Sequence, residues 1–301
     1  MRLLIPIDGS AYSDGAIEFV AARPALGDVP PQVDLLNVQL PLPPRAGRAV
    51  DSEFAQSWYE AESGKVLEPA IARLRAAGLD PAWFRRVGHP GVVISDWVDE
   101  HGIDLVVMGS HGRTALKNLV FGSVTQYVLA ASHAPVLVVR TPEAPRRESL
   151  RVGIALDGSR YSEAAADFVL AHRGLFGPQP EITLLHAVET RLADLLPTGG
   201  PDEGWSLPTA TAIEARERAA FEEVVAPIRG RFAGAGVGVG EAFLVGPVAE
   251  QIATFAVSAP LDILVLGSHG RGALTAAMLG SVAWSVAAKC STPLLLVRLP
   301  D

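Results

Sequence analysis

Cysteine is almost absent. Cys290 is the only one among 301 residues, which excludes an internal disulfide and suits a reducing compartment. It stands in Ala287-Ala288-Lys289-Cys290-Ser291, near the end of an expected helix, and reads as a small core thiol rather than a reactive one. Long apolar runs are missing too: no stretch reaches the ~18 residues of a membrane span. The opening Met1-Arg2-Leu3-Leu4-Ile5-Pro6-Ile7-Asp8 is too short and too soon acidic for a signal peptide. A cytoplasmic protein with no membrane partner is the expectation. Concentrated basic charge is also lacking. Lys and Arg number 25 against 33 Asp and Glu, a net charge of −8, with the signs interspersed. This argues against a nucleic-acid surface as the main business, since phosphate-backbone binding needs clustered Lys and Arg.

What is present is a repeated glycine pattern. Gly109-Ser110-His111-Gly112-Arg113, followed by Gly122-Ser123, returns 158 residues later as Gly267-Ser268-His269-Gly270-Arg271 and Gly280-Ser281. Of the 32 positions from Gly109 to Arg140, 16 are identical in Gly267 to Arg298. Each copy follows an apolar run, Leu105–Met108 or Ile263–Leu266, that reads as a buried strand. A strand ending in glycines, with Gly-Ser opening a helix soon after, reads as a phosphate cradle. Glycine lets the backbone approach an anion, and a helix N-terminus offers N–H groups and a favourable dipole.

The repeat extends beyond the glycines. Ile5-Pro6-Ile7-Asp8-Gly9-Ser10 returns as Ile154-Ala155-Leu156-Asp157-Gly158-Ser159, and Leu35-Leu36-Asn37-Val38 as Leu184-Leu185-His186-Ala187, both offset by 149. From Pro69 and Pro227 onward the offset is 158, so the second half gains nine residues between Ala187 and Pro227. With 49% hydrophobic residues the chain can bury two cores of about 150 residues each. Thr141–Glu148 is polar and proline-bearing, a short exposed linker, and the expected units are residues 1–144 and 145–301.

Each half alternates strand and helix. In the first, strands are expected at Leu3–Ile7, Val33–Val38, Ala82–Val87, Leu105–Met108 and Val136–Arg140. Helices are expected at Ser10–Ala22 with Ser10 as N-cap, around Glu53–Ala77, at Val92–His101 and at Ser123–Ser132. Pro69 should bend the second helix or mark its restart. This alternation argues for an α/β fold, a parallel sheet covered on both faces, with ligands at the carboxyl ends of its strands.

The motif Gly-x2-Gly-x9-Gly-Ser, twice, each after Asp-Gly-Ser-x-x-Ser (Asp8 to Ser13; Asp157 to Ser162), resembles the ATP-binding branch of the universal stress protein family. Nearly the whole chain resembles a tandem of that family. The resemblance implies a five-stranded parallel sheet of order 3-2-1-4-5 in each unit, with strands one and four together. It implies ATP, or AMP or ADP, as ligand, with Mg2+ or Mn2+ held by the phosphates as an open addition. Asp8, with Pro6 beside it, would then sit near the ribose or the metal, and Val38 would border the adenine. Gly109, Gly112, Gly122 and Ser123 would cradle the phosphates, with Val124 starting the following helix and Met108 and Ser110 among the nucleotide-binding residues. The second half supplies Asp157, Ala187, Gly267, Ser268, Gly270, Gly280, Ser281 and Val282. It departs from the first at Ala155 and Ala187, so the first site is expected to be the tighter one. The resemblance also implies that the final apolar strand of each half is an edge and that the two edges pair as an internal pseudo-dimer. A homodimer of chains stays open.

Bland readings stand beside these. Asp8 could serve only the Asp-Gly-Ser turn, but Ser10 can cap the helix alone, which would leave Asp8 for a ligand. A side chain at Gly122 is expected to displace a phosphate or force a disfavoured backbone angle. Arg113 and Arg271 either pair with phosphate oxygens or stand solvated. His111 and His269 have no second His or Cys at metal-ligand spacing, so loop geometry explains them better than catalysis or metal binding. Trp83, Trp97, Trp205 and Trp284 read as core or interface packing. No Lys follows the glycines as in a P-loop, and no Ser-Gly-Gly-x-Asp-Ser loop is present. A nucleotide-binding regulator is thus favoured over a slow ATPase or self-phosphorylating enzyme, and over a scaffold with vestigial sites.

Overall fold

The computed structural model describes the chain apart from residues 24–29, 44–51, 113–119, 144, 146, 191–195, 197–206, 271–278 and 300–301. In the first half, β1 (Arg2–Pro6), β2 (Gln32–Gln39), β3 (Ala82–Val87), β4 (Leu105–Gly109) and β5 (Val136–Val139) alternate with helices. These are α1 (Ala11–Ala21), α2 (Ser52–Ala76), α3 (Pro90–His101) and α4 (Ser123–Ala131). The second half repeats the order with β6 (Arg151–Ala155), α5 (Arg160–Ala171), β7 (Glu181–Val188), α6 (Ala210–Gly234) and β8 (Gly240–Val245). It continues with α7 (Val248–Ser258), β9 (Ile263–Gly267), α8 (Ser281–Lys289) and β10 (Leu294–Val297). Helix α2 runs through Pro69 and does not restart there, and α6 runs through Pro227 in the same way.

The ten strands form one sheet of order β3-β2-β1-β4-β5-β10-β9-β6-β7-β8. Each half is parallel, and the halves meet at β5 and β10, which pair antiparallel with Leu137 opposite Leu295. Neither terminal strand is left as an open apolar edge, the arrangement that would invite aggregation. The continuous apolar runs follow from burial on both faces. Leu3, Ile5, Leu105 and Val107 point into a core with α1 and α2, whereas Leu4, Val106 and Met108 point into a second core with α3 and α4. Both cores extend across the two halves.

Side chains reinforce the junction. Phe121, fully buried just before α4, meets the ring of Trp284 on α8 edge-on at 5.8 Å. The Arg140 guanidinium lies 5.2 Å from the Phe121 ring centre, and burial lowers its pKa from the ordinary arginine value, opposed by Cys290 and Tyr12. Arg298 donates to the Ser132 carbonyl at 3.0 Å. The linker is exposed over much of its length but anchored. Arg23, only 5% exposed, donates to the carbonyls of Phe19, Pro145 and Arg147 at 2.9, 3.0 and 3.2 Å. Desolvation pushes that guanidinium down to about 10, opposed by Asp262. Among the tryptophans, Trp97 is core and Trp284 lies at the junction, but Trp83 stands exposed on the edge strand β3. Trp83 is therefore not a core residue. Trp205 lies outside the described residues. Cys290 is buried, its thiol 3.5 Å from the Val286 carbonyl.

Candidate functional site

Strands β1 and β4 are neighbours, Leu3 beside Leu105 and Leu4 beside Val106, so their carboxyl ends open into one crevice. Past β1 the chain turns through Asp8-Gly9-Ser10 into α1. Ser10 caps that helix by accepting from Ser13 N at 3.2 Å, and its hydroxyl donates to the His111 carbonyl at 3.3 Å. Capping by Ser10 does not release Asp8 from the turn. Asp8 Oδ1 accepts from Ser10 N at 3.0 Å, because an Asx turn and a serine cap use different donors and coexist. The other oxygen, Oδ2, lies 2.6 Å from where a Cβ on Gly112 would stand. The bare Cα of Gly112 lets that carboxylate lie directly over it, which brings Asp8 and Gly112 into apposition. The second half repeats this: Asp157 Oδ1 accepts from Ser159 N at 2.9 Å, and its Oδ2 lies 2.9 Å from a Cβ on Gly270.

Gly109 has a packing reason of its own. A Cβ there would lie 2.7 Å from the carbonyl carbon of Tyr12, since the first turn of α1 rests on the end of β4, and Gly267 meets Tyr161 at the same distance. Ser110 is buried, its N–H on the Val139 carbonyl and its hydroxyl 3.0 Å from His111 Nδ1. The His111 ring lies 5.4 Å from that of Tyr12. Ser268, His269 and Tyr161 repeat the arrangement, at 3.0 Å and 5.2 Å. Met108 points into the second core.

Gly122 is different. It is the N-cap of α4 with φ −69 and ψ 160, a conformation open to any residue, so the expected disfavoured angle does not arise. Its own N–H donates to the Ser110 carbonyl at 2.8 Å. A Cβ on it would meet His111 Cα at 3.4 Å and the Gly112 nitrogen at 3.8 Å, ordinary contact. Packing against the described residues does not demand glycine here. Helix α4 also starts without a side-chain cap, whereas α1 and α5 are capped by Ser10 and Ser159. Helices α3 and α7 lack such a cap too, but they start beside the edge strands and on prolines, Pro90 and Pro247. Gly280 opens α8 in the same way, more tightly, since a Cβ on it would stand 3.1 Å from the Ser268 carbonyl.

Of the remaining expected residues, Pro6 ends β1 beside Leu36, and Val38 is half-buried near the end of β2 against the second core. Ala155 and Ala187, their counterparts, are buried. Ser123 and Val124 open α4, Ser281 and Val282 open α8, and Ser123, Ser281 and Val282 are exposed. Arg113 and Arg271 lie outside the described residues, as do residues 191–195 and 197–206 of the segment holding the nine-residue gain.

Three features escape a reading by motif. Tyr12 and Tyr161 recur at one place in the two Asp-Gly-Ser copies, a signal available by comparing the halves. Thr125, buried on α4, donates toward the carbonyls of Gly109 and Ser110 at 3.0 and 3.2 Å and ties the loop to its helix. Its counterpart is Ala283, so the second loop lacks the tie. Asn37 and His186 reach across from β2 and β7 to the strand ends.

Among the described residues no three His, Cys, Asp or Glu converge as a metal site, and no helix is long and apolar enough to cross a membrane. The model of the universal stress protein family matches residues 1–140 and again 149–298. A universal stress protein of Mycolicibacterium smegmatis is 27% identical over 304 residues, spanning 98% of this chain and 96% of that one. One from Mycobacterium tuberculosis is 26% identical over the same length, with the same shares covered. The crystal structure of a universal stress protein from Archaeoglobus fulgidus shares the fold, with a TM-score of 0.72 at 19% identity, covering 99% of this chain and 98% of that one. The chain belongs to the universal stress protein family, with one family unit in each half.

Proposed function

We propose that each half binds an adenine nucleotide at the crevice between its first and fourth strands, and that occupancy makes the chain a nucleotide-dependent regulator in a cytoplasmic stress response. Gly122 carries this reading. It is a glycine that packing against the described residues does not require, at the start of a helix with no side-chain cap, with Gly112 and Asp8 beside it. An anion there would meet the N–H groups of the first turn of α4 and its partial positive charge, about half a unit. The Ser123 hydroxyl and Arg113 would complete the phosphate contacts, Asp8 would face the ribose, and Val38 would border the adenine. The second half offers Asp157, Gly270, Gly280, Ser281, Arg271 and Ala187 for the same roles.

ATP fits this description, and so do ADP and AMP. A divalent cation belongs in this reading to the phosphates, since no protein cluster among the described residues would hold it alone. The reading is one of binding with at most slow turnover: one oxygen of Asp8, the acid beside Gly112, is engaged by the Ser10 N–H. Equilibrium dialysis of the full chain against ATP, ADP, AMP and GTP tests it. Saturable retention of the adenine nucleotides over GTP is expected. Equal retention of GTP, or none of the four, refutes the adenine site.

A further inference from the structure

In both halves, the peptide that leads from the first strand to the acidic residue is held by a side chain from the neighbouring strand. Ile7 N donates to the Leu36 carbonyl at 2.9 Å, and the Ile7 carbonyl accepts from Asn37 Nδ2 at 2.8 Å. The second half makes the same bond with a different residue. Leu156 N donates to the Leu185 carbonyl at 2.8 Å, and His186 Nδ1 lies 2.7 Å from the Leu156 carbonyl. Facing a carbonyl, that nitrogen carries the proton and donates. Asp157 N in turn lies 3.3 Å from the Ser162 hydroxyl, so the Leu156–Asp157 peptide is held at both its oxygen and its nitrogen.

Asn37 is 2% exposed, and its orientation is fixed by its other partners. Its Oδ1 accepts from the Ser63 hydroxyl on α2 at 3.0 Å, and Gln39 Nε2 donates to Ser63 Oγ at 2.6 Å and to the Tyr59 carbonyl at 3.1 Å. A flipped amide would set Oδ1 against a carbonyl and break this chain of bonds. The peptide plane it pins ends in Asp8, whose Oδ2 lies 2.6 Å from where a Cβ on residue 112 would stand, so the carboxylate rests against the glycine loop.

We propose that Asn37 and His186 are positioning residues for the two crevices. By fixing the Ile7–Asp8 and Leu156–Asp157 peptides, they set where each carboxylate stands against its glycine loop. The inference rests on the nucleotide-binding reading and extends it to residues that act through Asp8 and Asp157. Amide and imidazole do the same work because each presents an N–H donor at the end of a short side chain.

The test is ATP titration and thermal melting of the full chain carrying Asn37→Ala, Asn37→His, His186→Ala or His186→Asn, with titrations run well below melting. Asn37→Ala weakens the first site roughly tenfold, the order of one lost hydrogen-bonding group, and leaves the second unchanged. Asn37→His restores the first site to within about threefold, and His186→Asn preserves the second where His186→Ala weakens it. Should Asn37→Ala fail to fold, the pair at His186, a half-buried position, decides alone. A folded alanine variant with unchanged affinity at its own site overturns the proposal, as does Asn37→His binding as weakly as Asn37→Ala with an unmodified melting temperature. If the unmodified chain binds no adenine nucleotide, the reading beneath the proposal falls and takes it along. If it binds and the variants bind equally, only the proposal falls.

Discussion

Gly122→Ala separates a ligand's demand for glycine from the protein's own. The added Cβ meets His111 Cα at 3.4 Å and the Ser110 carbonyl at 3.5 Å, and the backbone at φ −69 accepts it. The folded chain should lose about 0.5–1 kcal/mol, the cost of placing alanine at an N-cap. In a domain of this size that is a melting shift of roughly 1–4 °C. A bound phosphate, drawn to the first-turn N–H groups, would meet the new methyl directly, so the first site should weaken by at least about tenfold, or ~1.4 kcal/mol. Gly122→Val should abolish binding by that half. The equivalent change in the other half differs in a predictable way. At Gly280 the Cβ lies 3.1 Å from the Ser268 carbonyl and 3.3 Å from His269 Cα, so backbone must give. Gly280→Ala should therefore cost visibly more stability than Gly122→Ala. Differential scanning calorimetry and isothermal titration of the two variants read both effects. A folded Gly122→Ala chain with unchanged affinity in its first half refutes the phosphate loop, and equal melting losses refute the packing contrast.

The two sites should be unequal. Val38 gives way to Ala187 at the proposed adenine end, about 1–2 kcal/mol of lost burial, so titration of the Gly122→Val and Gly280→Val chains should find the first half roughly tenfold tighter. Equal affinities, or a tighter second site, count against it. Thr125→Val removes the tie to the Gly109 and Ser110 carbonyls, a loss of about 1 kcal/mol, and should weaken nucleotide binding in the first half alone. A parallel loss in the second half, where Ala283 stands, would contradict that. Trypsin cleavage after Arg146 or Arg147 should leave the halves together on gel filtration, held by the β5–β10 pairing and the Phe121–Trp284 contact. Arg23→Met should speed that cleavage by freeing the Pro145 and Arg147 carbonyls; separation of the nicked halves at micromolar concentration would show the junction to be weak.

The elements of the fold were legible because strand and helix are local: apolar runs bounded by glycine and proline place β3 at Ala82–Val87 and put the other expected boundaries of the first half within about two residues. The pairing of the two halves came from the family resemblance, since nothing local in Val136–Val139 names its partner. In the crevice, the glycines and Asp8 announced themselves by repetition. What they touch did not, since the Ser10–His111 bond spans 101 residues of sequence and Tyr12 meets Gly109 only after α1 folds back onto β4. Asn37 and His186 were hidden for a different reason. They are chemically unlike residues doing one job, so comparing the halves makes them look like drift. The double use of Asp8 and Ser10 was misjudged because spacing shows which groups can reach each other, not how many bonds form at once.

The most direct measurement is a count. Purified full-length protein, saturated with ATP, freed of excess by rapid gel filtration and then denatured, should release adenine nucleotide at close to two molecules per chain. The number should fall to about one in either the Gly122→Val or the Gly280→Val chain. No release from the unmodified protein, or an undiminished count in both variants, would contradict nucleotide binding at the two glycine loops.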